Sequence, residues 1–271
     1  MATVLTVAIE KGGVGKTATA VNLAALMAMD GKKTLLVDMD AQANSTYMLT
    51  GEKKFSDALK DKGVFQMIRA HGIRPASDYA MPSQVPGLDL IPSTAQTSKA
   101  VSQMEILADS EQDIPSPNLV LALCLAELAD AYDYIVIDTP PSRDLLTTGA
   151  LVASDFVLVP CKCDDFCTDS LATTFEMCRK LSRDEETDIR IIGVVLTIVE
   201  KTALTQLIRE ELRGSDYKDS LMETEIRKGQ AVSDSTRYAS PVVISAKTSA
   251  PAKDYAALYR ELVRRIAAQQ D

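Results

Sequence analysis

An α/β fold, in which a mainly parallel doubly wound sheet carries helices on both faces, is what this sequence predicts. Three observations carry that expectation: short β-branched runs recur along the chain, helical apolar periods fall between them, and a glycine-rich turn follows the first run directly. The runs are Thr3 to Ile9, Lys33 to Asp38, Leu88 to Pro92, Tyr134 to Asp138, Phe156 to Pro160 and Arg190 to Leu196. They are mostly continuous rather than alternating, as strands covered on both faces are.

Helical patterns run over Thr17 to Met29, closed by Asp30-Gly31, and over Asn118 to Asp130, Leu145 to Val152, Thr168 to Leu181 and Thr202 to Arg213. The last, Ala252 to Ala268, sets Tyr255, Leu258, Tyr259, Leu262, Val263 and Ile266 on one apolar stripe, which predicts a helix packed on the sheet. Residues 50–118 are the least regular part, with Pro75, Pro82, Pro86, Pro92, Pro115 and Pro117 marking turns. Residues 1–271 therefore read as one domain with an elaborated connection at about 50–118 and a C-terminal packing helix at about 252–268.

The 271 residues are 46% hydrophobic, ample for a buried core. The longest apolar stretch, Leu119 to Ala126, is far short of the roughly 20 residues that span a bilayer, and the N-terminus lacks a signal-peptide pattern, so a cytoplasmic protein is expected. Five cysteines, an odd number, predict reduced thiols rather than a disulfide framework. The net charge of −9 disfavours non-specific attraction of the whole molecule to nucleic acid or anionic lipid. It is unevenly spread: residues 201–271 hold 12 Lys and Arg against 10 Asp and Glu, a local excess of +2, which makes the last quarter the place for an anionic partner.

"EKGGVGKTAT", Glu10 to Thr19, stands where a strand gives way to a helix, the context in which a Gly-Lys-Thr run binds nucleotide phosphates. Gly12, Gly13 and Gly15 let backbone N–H groups converge on an anion, and the following helix adds the positive end of its dipole. Lys16 suits the β- and γ-phosphates, and the Thr17 hydroxyl suits Mg²⁺. The nucleotide-binding segment is thus Lys11, Gly12, Gly13, Val14, Gly15, Lys16, Thr17 and Ala18. The general phosphate-loop pattern has glycine at position 10, where this chain has Glu10, and it lacks the second lysine, Lys11. Such a lysine points either at its own nucleotide or at that of another molecule.

Two more runs end in carboxylates, "LLVDMDAQAN" in Asp38 and Asp40 and "DYIVIDTPPS" in Asp138. Carboxylates at the C-terminal ends of parallel strands border the crevice where such sheets bind ligands. Asp138 fits a water-mediated Mg²⁺ ligand. Asp38 and Asp40 are expected to part, one toward the metal and the other toward a different neighbour, with Asp40 the candidate to orient the attacking water. The single His71 reads as a surface or packing residue.

At these residues the sequence closely resembles the ParA-type partition ATPases, which group with MinD and nitrogenase iron protein in the deviant Walker A branch of P-loop NTPases. The matches are "KGGVGKTATAVNLA", "LLVDMDAQAN", "VPGLDLIP", "YDYIVIDTPPS", "VVLTIVEKT" and "SPVVISAKTSAPAKDYAALYREL", spread over nearly the whole chain. The resemblance implies an ATP-bound sandwich dimer in which Lys11 of each subunit contacts the other's phosphates. It further implies catalytic roles for Lys11, Lys16 and Asp40, and Mg²⁺ at Thr17 and Asp138 with Asp38 near the metal. Non-specific binding of double-stranded DNA by the dimer, a ParB-type centromere-bound partner that stimulates a slow ATPase, and a nucleoid-associated location follow by the same likeness. The DNA-contacting stretch of the family resembles "TEIRKGQAVSDSTRYASPV", which offers Arg227, Lys228 and Arg237. Two departures stand out: Ala18 and Ala20 replace threonines common in relatives, and Ala231 stands where some chromosomal relatives have arginine. The basic surface can instead shift toward Arg179, Lys180 and Arg183.

Nine residues precede Glu10, so no helix-turn-helix is expected ahead of the loop, and operator recognition is not. A MinD-like membrane cycle needs a C-terminal helix that leaves the fold; the polar ending "AAQQD" favours packing, and no stable membrane insertion is expected. An iron–sulfur carrier is the reading that "PCKCDDFC" raises through Cys161, Cys163 and Cys167, but no CxxC pair or fourth ligand accompanies them, and Cys124 and Cys178 read as core fillers. A third reading keeps the ATPase and changes the cargo to a protein body, and nothing in the sequence separates plasmid, chromosome and protein-body cargo.

Overall fold

A computed structural model of the chain describes residues 1–110 and 114–270. In chain order the elements are β1 (Thr3–Val7), α1 (Lys16–Met29), β2 (Thr34–Asp38), α2 (Asn44–Thr50), α3 (Val64–Arg69), β3 (Met81–Pro82), β4 (Leu88–Ile91), α4 (Ala100–Ser110), α5 (Val120–Ala126), β5 (Tyr134–Asp138), α6 (Leu145–Val152), β6 (Phe156–Lys162), α7 (Cys167–Asp184), β7 (Arg190–Thr197), α8 (Ala203–Arg213), α9 (Gln230–Arg237), α10 (Val242–Ser245) and α11 (Ala250–Gln270). Seven strands form one sheet in the order β3-β4-β2-β5-β1-β6-β7, parallel throughout except where β3 pairs antiparallel with β4 at the edge.

The strand residues alternate between two covered faces. Leu36 and Val136 join the core beneath α1, α10 and α11, whereas their neighbours Leu35, Val37, Ile135 and Ile137 join the core beneath α3 to α6. The β6–β7 end has its own cluster, with Val157, Val159, Val194 and Leu196 against Leu171 and Cys178 of α7 and Ile208 and Leu212 of α8. Both faces being apolar, the strand sequences carry no alternation. On α11, Tyr255, Leu258, Leu262 and Ile266 are buried in the first of these cores, so the apolar stripe is used in packing. No helix among the described residues is long and apolar enough to cross a membrane.

The connection at 50–118 holds more order than its prolines suggest: α3, β3, β4 and α4 lie in it, while its residues 111–113 fall outside the described residues. Pro82 sits on the edge strand β3, where a missing N–H costs no ladder bond. The predicted helix from Asn118 to Asp130 is shorter than its pattern, the regular turns being confined to Val120–Ala126 after a 3₁₀ turn at Pro117–Leu119.

The consequence for function is positional. Val7, Asp38 and Asp138 are register neighbours across β1, β5 and β2, so the loops that leave these strands open at one end of the sheet.

Candidate active site

The loop between β1 and α1 owes its shape to two glycines. Gly13 (φ +71°) and Gly15 (φ +86°) take left-handed backbone, and since no atom would crowd a Cβ at either, the requirement is conformational. Gly15 caps α1 with no side chain bonded to the first turn. The leading N–H groups of α1 thus have no intrahelical acceptor, and together with the helix dipole they suit an anion. Buried Val14 ties the loop to the far end of the sheet, its carbonyl accepting the Thr197 hydroxyl at 2.7 Å.

Lys16 lies inside this turn. Its Nζ donates to the carbonyls of Lys11 (2.7 Å) and Ile9 (3.1 Å), and the side chain is almost fully buried. Burial lowers its pKa, and the nearby carboxylates of Asp138 and Asp40 pull it back up. Gly12 is exposed, and Thr17 and Ala18 are half-buried on the first turn of α1.

Three carboxylates crowd the ends of β2 and β5. Asp138 is fully buried; Oδ2 accepts the Ser45 hydroxyl at 2.7 Å, while among the described residues Oδ1 has no hydrogen-bond partner. Burial raises its pKa to about 6, with the Ser45 and Thr17 hydroxyls and Lys16 opposing and Asp40 adding to the rise. The Thr17 hydroxyl is thus close enough to act on Asp138 without completing a hydrogen bond of good geometry. An orphaned buried carboxylate oxygen beside a hydroxyl is an oxygen-only donor set of the kind a hard divalent cation takes, so these residues fit Mg²⁺.

Asp38 is used differently from what its spacing suggests. Its Oδ2 accepts both the N–H (2.8 Å) and the hydroxyl (2.7 Å) of Thr46, and its Oδ1 accepts the Asp40 N–H at 3.2 Å. With both oxygens accepting from protein donors, Asp38 anchors α2 at the end of β2. Asp40 lies beyond the end of β2, and the two carboxylates accept from different neighbours, Asp38 from Thr46 and Asp40 from Gln42. Asp38 and Asp40 each act on Asp138 or on each other's charge, and burial plus Asp138 holds the Asp38 pKa well above the carboxylate range. Asp40 follows the end of β2, mostly buried, with Oδ1 accepting the Gln42 N–H at 2.9 Å.

Lys11 does not join Lys16. Its side chain leaves the loop and forms an ion pair with Asp164 in the β6–α7 connection, with Nζ 5.4 Å from the centroid of the Phe166 ring. Glu10, which replaces the expected glycine, pairs with Arg143 in the loop after β5.

The cysteines depart from one expectation. Cys161 and Cys167 are paired in the structure with Cα atoms 6.1 Å apart, whereas the sequence predicts reduced thiols. Cys163 stands apart with a thiol pushed up to about 11 by burial, and among the described residues no group of three His, Cys, Asp or Glu could hold a metal. His71 is largely buried, with Nδ1 3.5 Å from Glu127.

Of the three basic residues expected at DNA, two are already engaged. Arg227 makes a two-pronged contact with Asp254 (2.6 and 2.8 Å), and Lys228 pairs with Glu200 at 3.0 Å. Arg237, exposed on the last turn of α9, has no ion-pair partner among the described residues. The same holds for Arg179, Lys180 and Arg183 along the exposed side of α7.

Ser45, Thr46, Arg143 and Asp164 escaped sequence reasoning. For Ser45 and Thr46 a signal existed, two hydroxyls soon after the paired aspartates. Asp164 lies 153 residues from Lys11, and nothing local announces it.

Comparison with known proteins agrees with this geometry. Residues 2–191 match a family model described as an AAA domain. The chain is 32% identical over 269 residues to the sporulation initiation inhibitor protein Soj of Bacillus subtilis, covering 97% of this chain and 98% of that one. It is 31% identical over 259 residues to the chromosome partitioning protein ParA of Myxococcus xanthus, covering 94% and 86%. Its fold is similar to that of cobyrinic acid a,c-diamide synthase from Mycobacterium smegmatis, solved with bound ADP and magnesium (TM-score 0.80, 22% identity, 99% and 97% covered), a likeness that concerns the fold alone. A glycine-shaped anion cradle with a buried lysine, beside an orphaned carboxylate on the neighbouring strand, is thus set in a chain whose sequence follows Soj and ParA from end to end, and the chain belongs to the ParA/Soj family of partition ATPases.

Proposed function

We propose that this chain is a Mg²⁺-dependent ATPase that works as an ATP-bound homodimer on non-specific double-stranded DNA, and that a ParB-type partner triggers the hydrolysis that releases it. The observation that carries the reading is the convergence of Lys16, Thr17, Asp40 and Asp138 at the ends of β1, β2 and β5, around the open N-terminus of α1.

The roles follow from chemistry. The N–H groups of Gly12 to Thr17 and the Lys16 ammonium bind the phosphates, and Asp138 with Thr17 holds the metal. Mg²⁺ supplies neutralisation of the charge that builds on the phosphate oxygens. Asp40 orients the water. Lys11 reaches the second subunit's phosphates, where a cation in a dry site contributes several kcal/mol of transition-state stabilisation. A subunit alone lacks that cation and turns over slowly. ATP then acts as the joint between subunits, and its hydrolysis opens the joint. Nucleoid association in the cytoplasm follows from DNA binding of this kind.

The test is co-sedimentation with non-specific double-stranded DNA at two salt concentrations, with ATP, ADP or no nucleotide, for the wild type and Lys11→Ala. Binding that needs ATP, weakens with salt and is lost in the variant is the expected result. Absence of DNA binding in every state would sink the reading.

A further inference from the structure

The Lys11 side chain pairs with Asp164 and lies beside the Phe166 ring. We propose that Asp164, assisted by Phe166, is a positioning residue that docks Lys11 in the free subunit and sets how readily that lysine is handed to a second one. The proposal rests on the reading of Lys11 as acting across a dimer.

The docking loop is built to present this carboxylate. It joins β6 to α7, and the Cys161–Cys167 bond ties its two ends together. Inside it, the Asp164 N–H donates to the Lys162 carbonyl and the Cys167 N–H to the Asp164 carbonyl, each at 2.9 Å. The Phe166 N–H donates to Asp164 Oδ1 at 3.2 Å, which fixes the side chain and stands the Phe166 ring beside the lysine. Lys11 is held at its backbone, since its carbonyl accepts the Lys16 ammonium, while its side chain extends out to Asp164. The pair is about a quarter exposed (22% and 27%), and Phe166 is 65% exposed, so a competing anion from another molecule can reach it. One ammonium cannot serve Asp164 and a second subunit's phosphates together. A partly exposed pair of this kind shifts an equilibrium by up to roughly fivefold. Two docked lysines must be released per dimer, so the effect enters the dimer constant squared, up to roughly 25-fold.

Asp164→Asn removes the charge and keeps an oxygen that can accept the Phe166 N–H. Dimerisation is measured by analytical ultracentrifugation with a non-hydrolysable ATP analogue and Mg²⁺. Lys11 accessibility is measured by its acylation rate in the nucleotide-free protein, read by peptide mass spectrometry. The expected result is a dimer tightened by roughly tenfold with faster acylation of Lys11 and unchanged analogue affinity at protein concentrations where the chain is monomeric. Phe166→Ala moves both readouts the same way by less. An unchanged or weaker dimer, or unchanged acylation, overturns the proposal; a weaker one would mean that Asp164 holds the lysine in the assembled dimer. Lys11→Ala separates the two ideas: if it dimerises like the wild type, the cross-subunit reading itself fails, whatever Asp164→Asn does.

Discussion

The phosphate-loop end of the sheet and the C-terminal helix solve the problem of buried charge in opposite ways. At the phosphate loop, charge is buried and left partly unsatisfied: among the described residues Asp138 Oδ1 has no hydrogen-bond partner, and the Lys16 ammonium donates to main-chain carbonyls. At the C-terminal helix, charge is buried and fully satisfied. Glu261, 3% exposed, accepts the N–H groups of Glu223 (2.7 Å) and Thr224 (2.9 Å) and lies 3.1 Å from Arg265, which itself donates to the Ile192 and Leu221 carbonyls. The difference separates a place that awaits a ligand from a place that closes the fold. An unsatisfied buried group costs stability until something binds it, whereas a complete network specifies one position of α11 against β7 and the segment after it.

The largest effect expected from this contrast is at the satisfied end. Glu261→Ala strands two N–H groups and a half-buried guanidinium, and should cost about 3 kcal/mol, seen as a lower urea midpoint at unchanged slope. At the unsatisfied end, Lys16→Ala should weaken ATP binding by about 100-fold, read by calorimetric titration. Asp138→Asn sharpens the comparison by changing sign. An acid whose folded pKa is raised from the usual 3.8 to about 6 binds its proton more tightly when folded, so stability falls as pH rises through about 4 to 6 and the penalty is complete at pH 7. The amide escapes the penalty, and the variant should be more stable than wild type at pH 7 by on the order of 2 kcal/mol in metal-free buffer, while losing Mg²⁺-dependent nucleotide binding. Urea titrations at pH 4.5 and 7 measure it: a gain equal at both pH values would show that the ionised carboxylate is not its source.

The same contrast explains what the sequence made legible. The phosphate loop could be read because its chemistry is local: the glycines, Lys16 and Thr17 are contiguous, and Asp38 and Asp138 end runs whose β-branched composition marks the strands. The helix α2 could not. "NSTYMLT" is a poor helix former, and it is fixed from outside itself, by Ser45 to Asp138 and Thr46 to Asp38. In the connection, α4 places Ala100, Met104 and Leu107 at helical spacing toward the core, but it lies within a stretch whose prolines read as turns. The Lys11–Asp164 and Glu261–Glu223 contacts join distant parts of the chain, so no local pattern reports them. Charge count is coarse for a related reason: the excess of positive residues after Lys201 says nothing about which of them are already paired.

Paired and unpaired cations should differ in the smallest and most discriminating effect. A cation contributes to DNA binding by displacing counterions from phosphate, and removing one that neutralises a phosphate should reduce the slope of log K against log salt by about 0.9. Arg227 and Lys228 first have to leave Asp254 and Glu200, so Arg227→Ala and Lys228→Ala should change the slope by well under that amount. Among the described residues Arg237 has no such acid to leave, nor do Arg179 and Arg183, one turn apart on α7. Arg237→Ala should lower the slope by about 0.9 and Arg179→Ala with Arg183→Ala by about 1.8, wherever those faces meet the duplex. Because unpaired charge and not position in the chain sets this ranking, a full-sized drop in Arg227→Ala beside no change at Arg237 and α7 would mean that DNA itself breaks the Arg227–Asp254 pair, and that the pairing seen in the free subunit is the resting half of a switch.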